Sequence, residues 1–287
     1  MIKIFINGFG RIGNCIFELA KDDDQIKVVG INDIYQIKNI NGVKIYTQKD
    51  PKKLDLQDVD VLIQSSGVFL TKEQNEIYLK NGAKKVLITA PSPVPTFIYG
   101  INHDDYKGEK IISSSSCSIT AIAPIIKTFF PYQIKAVFAS MIHSYTSDQP
   151  LLDENRAFLD LRRNRSATLN ILPLLSSASK EIKKFFPSLH MEAKSIRVPL
   201  KSCTYYDISL YLQNEVEDFF NLIKQNFVFT AQKLVSSDFI GNKEALVVDI
   251  NQSFYQNKMA KICAWQDNEV GYSNQVIKLI KAICDKN

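Results

Sequence analysis

The run Gly8-Phe9-Gly10-Arg11-Ile12-Gly13 constrains this chain more than any other feature, because of what flanks it. Ile2–Ile6 before it reads as a buried strand. Ile12–Lys21 after it sets Ile12, Ile16, Phe17 and Leu19 at helical spacing. A second strand, Lys27–Ile31, then runs into Asn32-Asp33, which puts Asp33 twenty residues past Gly13. Strand, GxGxxG, helix and a delayed carboxylate together make the context of a dinucleotide-binding βαβ unit. The glycines allow a tight turn and close approach of a pyrophosphate, and the helix N-terminus favours its charge. Asp33 can accept hydrogen bonds from ribose hydroxyls and would repel a 2′-phosphate, so NAD is expected in preference to NADP.

The alternation continues through strands at Val59–Gln64, Lys85–Thr89 and Lys110–Ser113, with a helix over Lys72–Asn81. Such a pattern implies a parallel sheet with helices on its faces. The second half differs. Gln133–His143 is a long strand, and Thr204–Leu212 alternates along its length. Ala245–Ile250 and Met259–Trp265 are further strands, with Gln256-Asn257 as a turn. Helices are expected at Leu172–Phe186 and Val216–Ala231, and Ser273–Cys284 is amphipathic. The expected fold is α/β: a Rossmann-type doubly wound parallel sheet, followed by an α+β domain of mostly antiparallel sheet. Residues 1–116, completed by a C-terminal helix over 269–287, form the first domain and 117–268 the second.

Composition excludes several classes. Of 287 residues, 45% are hydrophobic and 23% charged, which is ordinary for a globular chain and argues against disorder. The net charge of +5 comes from dispersed lysines rather than a basic stripe, so nucleic acid is not expected as the primary partner. No apolar run approaches the roughly eighteen residues of a membrane span. The start of the chain turns glycine-rich too soon for a signal peptide. Five cysteines, an odd number without CxxC spacing, argue against a disulfide framework and against a metal site. A reducing, cytoplasmic setting is expected.

One cysteine stands apart. Ile111-Ile112-Ser113-Ser114-Ser115-Ser116-Cys117 leads from a strand into a helix expected at Thr120–Phe130. A helix N-terminus favours thiolate, although a buried structural thiol is the alternative. His143 ends a strand and is either a satisfied structural histidine or the base for such a nucleophile. Arg163, in the cluster Asp160–Arg165, and Arg197, in Ser195-Ile196-Arg197-Val198-Pro199, are either solvated surface or forks for a phosphate.

These segments, in order, resemble the glyceraldehyde-3-phosphate dehydrogenase family over nearly the whole chain. The resemblance is carried by Ile6–Gly13, Asn32-Asp33, Ser65-Ser66-Gly67-Val68-Phe69 and Gly82–Pro91. It continues through His143-Ser144-Tyr145-Thr146, Asp148-Gln149, Asp160–Asn170 and Trp265-Gln266-Asp267-Asn268-Glu269-Val270-Gly271-Tyr272-Ser273. It implies oxidative phosphorylation of glyceraldehyde 3-phosphate to 1,3-bisphosphoglycerate through a cysteine hemithioacetal and thioester. Erythrose 4-phosphate as substrate, or an impaired paralogue that binds a nucleotide or a partner, are the alternatives. By resemblance Cys117 is the nucleophile and His143 the base. The NAD set is Asn7, Gly8, Phe9, Gly10, Arg11, Ile12, Gly13, Asn32, Asp33, Lys49, Ser66, Gly67, Thr89, Asn268 and Tyr272. Thr146 and Arg197 fall at the substrate's phosphate; Ser116, Ser118, Arg163, Ser176 and Ser177 fall where inorganic phosphate is held. A cytoplasmic homotetramer of glycolysis or gluconeogenesis is implied. The chain departs from the family pattern at Ile119 and Thr120 behind the cysteine. It departs again at Ser177, where the family has a glycine, and in a shortened stretch over 36–50. A glycine replaced by Ser177 would be costly if that position needs a positive φ.

Overall fold

The structure, a computed structural model, describes residues 1–146, 149–155 and 160–285. Contacts divide it into two compact units, Met1–Thr120 with Tyr272–Asn287, and Ala121–Gly271.

In the first unit, β1 (Ile2–Asn7) is followed by α1 (Arg11–Lys21), β2 (Ile26–Asn32), β3 (Lys44–Tyr46) and β4 (Val61–Gln64). Then come α2 (Lys72–Lys80), β5 (Lys85–Ile88) and β6 (Ile111–Ser113). The six strands are all parallel, in the order β3-β2-β1-β4-β5-β6. Parallel strands covered on both faces must be apolar on both, and these are. Ile4, Ile6, Val61 and Ile63 face one cluster, with Ile16 and Phe17 of α1. Phe5, Leu62, Val86 and Ile88 face the other, with Tyr78 of α2. The order reverses between β1 and β4, the switch point at which such sheets bind ligands.

Helix α3 (Cys117–Phe129) crosses the division after Thr120. The second unit contains β7 (Ile134–Ser144), β8 (Leu172–Leu175), α4 (Ala178–Glu181), β9 (Met191–Val198) and β10 (Thr204–Leu212). It continues with α5 (Phe219–Asn226), β11 (Val228–Thr230), β12 (Val247–Asp249), β13 (Phe254–Gln256) and β14 (Met259–Gln266). Helix α6 (Val270–Asp285) then returns the chain to the first unit, where Val276, Ile277 and Ile280 join the α1 cluster. The second sheet runs β11-β12-β14-β10-β7-β9-β8, with β13 on β14. Its pairs are antiparallel except β7–β9 and β11–β12. The alternation in β10 is real: Tyr206, Ile208, Leu210 and Leu212 are buried, while Tyr205, Asp207, Ser209 and Tyr211 are not.

Two helix expectations are corrected. Leu172–Leu175 is a strand, in which Leu172 and Leu174 are buried while Pro173 and Leu175 are exposed. Pro173 is tolerated because β8 is an edge strand. Only Ala178–Glu181 and a tight turn over Ile182–Lys184 are helical there. The helix expected at Val216–Ala231 is confined to Phe219–Asn226, started by the Asp218 side chain, and β11 follows it. Strands β3, β9 and β13 were not anticipated, and the turn expected at Gln256-Asn257 falls one residue later, at Asn257-Lys258, because Gln256 pairs with Met259.

Candidate active site

In the first unit the glycine loop is built by exclusion. A Cβ on Gly8 would lie 2.4 Å from the Ser66 nitrogen, and Gly8 has φ +98°. A Cβ on Gly13 would lie 2.1 Å from the Gly8 carbonyl oxygen. Both positions bring backbone together. Gly10 is different: a Cβ there would meet nothing within 4 Å, so its small size leaves room for something else. Gly10 caps α1 without a side-chain hydrogen bond, and no acidic residue sits in the first turn. An α-helix leaves its first N–H groups without intrahelical partners, so this end suits an anion. Space beside Gly10 and an uncapped helix head fit the pyrophosphate of a dinucleotide.

Asp33, just past the end of β2, holds the loop. Its carboxylate accepts from the Phe9 N–H at 2.6 Å and the Tyr35 N–H at 2.9 Å. Asn7 and Asn32 are buried and committed to an internal network. Asn7 Nδ2 donates to Gln64 Oε1 (3.1 Å) and to Tyr78 Oη (3.0 Å). Asn32 Nδ2 donates to Asn7 Oδ1 (2.7 Å) and to the Gln48 carbonyl (3.1 Å), and Asn32 Oδ1 accepts from the Gln48 N–H (2.8 Å). That clasp fixes the short segment preceding Lys49, which is exposed. These two asparagines therefore shape the switch point rather than present their amides to a ligand. Ser66 Oγ donates to Gln64 Oε1 at 2.8 Å, and the exposed Gly67 turns the chain at φ +75°. Thr89 Oγ1 donates to the Gln64 carbonyl at 3.3 Å, closing the end of β5. Phe9, Arg11 and Ile12 are half-buried around the loop.

Cys117 is the first residue of α3 and half-buried. Ser113, Ser114 and Ser115 before it are structural. Ser113 Oγ donates to the Ala90 carbonyl (2.6 Å) and accepts from the Ser115 N–H (2.9 Å). Tyr272, 2% exposed, donates its hydroxyl to the Ser115 carbonyl at 2.9 Å and shares a hydrogen bond with Ser114 Oγ at 2.8 Å. Ser116 caps the helix: its carbonyl accepts from the Ile119 and Thr120 N–H groups, both at 3.1 Å. Ser118 is half-buried in the first turn. Ile119 is wholly buried, so the departure there is a core substitution, and Thr120 Oγ1 turns back to the Cys117 carbonyl at 2.7 Å. The remaining thiols differ. Burial pushes Cys203 up to about 12, and it raises Cys263 and Cys284 as well, so these sulfurs keep their protons.

In the second unit His143, 3% exposed, lies near the end of β7 beside Arg197 of β9, its register partner. Its Nδ1 lies 2.6 Å from the Ser144 carbonyl oxygen and 2.8 Å from an Arg197 guanidinium nitrogen. The same guanidinium nitrogen donates to the Ser144 carbonyl at 3.0 Å. Thr146 donates its N–H to Gln149 Oε1 at 3.2 Å. Asn268 Oδ1 is held by Ser144 Oγ (3.2 Å) and Thr204 Oγ1 (3.4 Å), which leaves the amide nitrogen as the other end. Arg163 lies in a tight turn over Leu161–Asn164 that Asp160 starts. Ser176 Oγ accepts from the Ala178 N–H at 3.2 Å. Ser177 has φ −64°, an ordinary right-handed conformation, so the serine there is unstrained. Ser147 and Asp148 of the histidine segment, and residues 156–159, lie outside the described residues.

Sequence reasoning gave no role to Asp267, Ser144 or Thr204. Asp267 is 2% exposed. Its Oδ1 accepts from the Glu269 and Val270 N–H groups and from Ser202 Oγ, and its Oδ2 accepts from the Gly241 N–H. It caps α6 and fixes the turn that carries Asn268. Its signal was present, an aspartate just ahead of a helix start. Among the described residues no group of three potential ligands could hold a metal ion, and no helix is long and apolar enough to cross a membrane.

A doubly wound sheet with an open glycine loop, joined to a mixed sheet bearing a buried histidine, defines a dinucleotide-dependent oxidoreductase of two units. Comparison with known sequences narrows this. Residues 2–43 match the glyceraldehyde 3-phosphate dehydrogenase NAD-binding domain, and residues 116–268 match the C-terminal domain of that family. The chain is 36% identical to the glyceraldehyde-3-phosphate dehydrogenase of Helicobacter pylori, with 97% of this chain and 98% of the relative covered. It is 34% identical to that of Buchnera aphidicola (99% of each covered) and 31% identical to that of Neurospora crassa (99% and 97%). The chain belongs to the glyceraldehyde-3-phosphate dehydrogenase family. It is therefore an NAD-dependent aldehyde dehydrogenase of the phosphorylating type, with NAD as its cofactor. The alignment to the Helicobacter relative runs over 326 positions, more than the 287 residues here, so that relative carries segments this chain lacks.

Proposed function

We propose that the chain oxidises glyceraldehyde 3-phosphate and phosphorylates the product to 1,3-bisphosphoglycerate. The observation that carries this reading is Cys117 at the head of α3, in a chain of this family in which burial holds Cys203, Cys263 and Cys284 protonated.

Cys117 sulfur adds to the aldehyde carbon and gives a hemithioacetal. His143 takes the proton of its hydroxyl, leaving the thioester. NAD, when bound, supplies the acceptor for the hydride lost in that oxidation. An oxygen of inorganic phosphate then attacks the thioester carbon, the C–S bond breaks, and the cysteine leaves as thiolate with the acyl phosphate released. Gly8, Gly10, Gly13 and the head of α1 hold the pyrophosphate, Asp33 the ribose, and Asn268 the nicotinamide amide through its free-ended nitrogen. Phe9, Arg11, Ile12, Lys49, Ser66, Gly67 and Thr89 frame the same site, while Asn7, Asn32 and Tyr272 brace it. Thr146 and Arg197 take the substrate phosphate, and Ser116, Ser118, Arg163, Ser176 and Ser177 the inorganic phosphate. On this reading residues 1–116 with 269–287 bind the dinucleotide, residues 117–268 carry the catalytic domain, and the enzyme works in the cytoplasm as a homotetramer, in glycolysis or gluconeogenesis.

The test is NADH formation followed by absorbance, with and without phosphate, on glyceraldehyde 3-phosphate and on erythrose 4-phosphate in parallel. Phosphate-dependent turnover that favours the three-carbon aldehyde supports the reading. Preference for the four-carbon aldehyde redirects it, and no turnover of either by protein with intact thiols refutes it.

A further inference from the structure

We propose that Ser115 is a positioning residue for Cys117, held in a left-handed backbone conformation by the hydroxyl of Tyr272. The inference rests on the proposed role of Cys117, but its test reads the thiol and not turnover.

Ser115 has φ 59°, a region that favours glycine. It stands two residues before Cys117, where only residues 114–116 separate β6 from α3. The chain changes course within that short stretch, and a single left-handed residue provides the bend. A side chain in this region costs free energy, and the conformation persists only where its surroundings hold it.

Those surroundings are specific. The Ser115 N–H donates to Ser113 Oγ at 2.9 Å, and Ser113 Oγ is itself tied to the Ala90 carbonyl at 2.6 Å. The Ser115 carbonyl accepts from Tyr272 Oη at 2.9 Å. Tyr272 Oη also lies 2.8 Å from Ser114 Oγ, so it grips two consecutive residues of the turn, whichever of those two hydroxyls donates to the other. Ser114 and Tyr272 are 2% exposed and Ser115 is 0% exposed, so water does not take the place of these bonds. Burial pushes the Tyr272 pKa up and the nearby Cys117 sulfur adds to the rise, which keeps the phenol protonated.

The first turn of α6 thus secures a strained residue beside the nucleophile. Without the Tyr272 hydroxyl, Ser115 can relax to negative φ, and the path of the chain through Ser116 and Cys117 changes with it. Glycine takes the left-handed conformation without being held. The clamp is therefore needed only while residue 115 carries a Cβ.

Alkylation of Cys117 by iodoacetamide at neutral pH, read by mass spectrometry after digestion of the full chain, provides the test. Tyr272→Phe is made in three backgrounds: the parent chain, Ser115→Gly and Ser115→Ala. In the parent chain it should slow alkylation about tenfold, in keeping with the strain of a side chain at positive φ. In the Ser115→Gly background it should change the rate by less than about twofold. In the Ser115→Ala background it should again slow alkylation about tenfold, because alanine keeps the Cβ. Circular dichroism establishes that each variant is folded. If Tyr272→Phe is not, Ser113→Ala removes the other tie on Ser115 and takes its place in the same comparison. An equal effect in all three backgrounds, or none in the parent chain, overturns the proposal. So does loss of the effect in the Ser115→Ala background, which would make the Ser115 hydroxyl the cause rather than its backbone. A contribution of Tyr272 to stability alone is not lifted by Ser115→Gly. If the protein makes no NADH yet alkylation follows the expected pattern, the proposed activity fails and this inference stands.

Discussion

Three glycines of one loop separate fold from function at the scale of a single residue. Gly13→Ala would force a methyl to 2.1 Å from the Gly8 carbonyl. Backbone must shift, and a destabilisation of about 1–3 kcal/mol is expected from overpacking, read as a lower denaturant midpoint. Gly10→Ala meets nothing in the chain and Gly10 has φ −74°, so its stability should be unchanged. Its methyl would instead enter the space proposed above for the pyrophosphate, and on that reading calorimetry should show NAD binding weakened at least tenfold, about 1.4 kcal/mol. If both variants lose stability alike, the open space at Gly10 serves the fold rather than the cofactor. Residue identity made this loop legible from sequence, because only glycine answers those spacings. The same reasoning left the Ser177 position open, since a side chain does not reveal its own φ. At −64° it needs no glycine.

At the scale of elements, what sequence revealed depended on how much of an element one face controls. β10 and α6 were legible because long alternation or helical spacing has one buried answer. β9 alternates as clearly, with Met191, Ala193 and Ser195 buried, yet its lysine and glutamate masked the pattern. The leucines at 172, 174 and 175 suit either period, and only the edge position of β8 settles them as strand. β3 is three residues long, too short for any periodicity. Cys117, His143 and Arg197 were named by type and resemblance, but the contact of Arg197 with His143 depends on β7–β9 pairing, which no local pattern reports. Two predictions belong here. Tyr272→Phe removes the donor to the Ser115 carbonyl and the partner of Ser114, both buried, and should cost about 1–3 kcal/mol in denaturant unfolding. A variant as stable as the parent would mean that the serine turn before α3 does not lean on α6. The β13–β14 hairpin closes through Asn257 (φ 52°) and Lys258 (φ 61°), the geometry of a two-residue turn that favours Asn-Gly. Lys258→Gly should therefore raise the melting midpoint, with a gain of about 0.5–1 kcal/mol; a lower midpoint would show that the lysine side chain contributes contacts the turn geometry does not reveal.

At the scale of the whole molecule, the second sheet has one face that is buried and one that is not. The registers put Phe138 (64% exposed), Tyr211, Met259 and Phe254 on the same outward face. A monomer rarely leaves that many large apolar side chains together on a strand surface, and such patches mark interfaces. The Asp207–Lys261 ion pair lies among them and supplies its own neutral pair, so it needs no opposite charge from a partner. A face that is mostly apolar and internally neutral suits a second copy of itself, because a two-fold contact brings each residue near its own counterpart. That symmetry makes the surface easy to break, since one substitution places two like charges at the same contact. Phe138→Glu with Met259→Glu should therefore reduce the assembly measured by sedimentation to a smaller species at the same protein concentration. Because both positions are exposed within one chain, far-UV circular dichroism should not change. NAD binding should persist as well, since the glycine loop belongs to the other unit. A doubly substituted protein that sediments like the parent would remove this face from the contact, and a parent that is monomeric at micromolar concentration would remove the homotetramer itself.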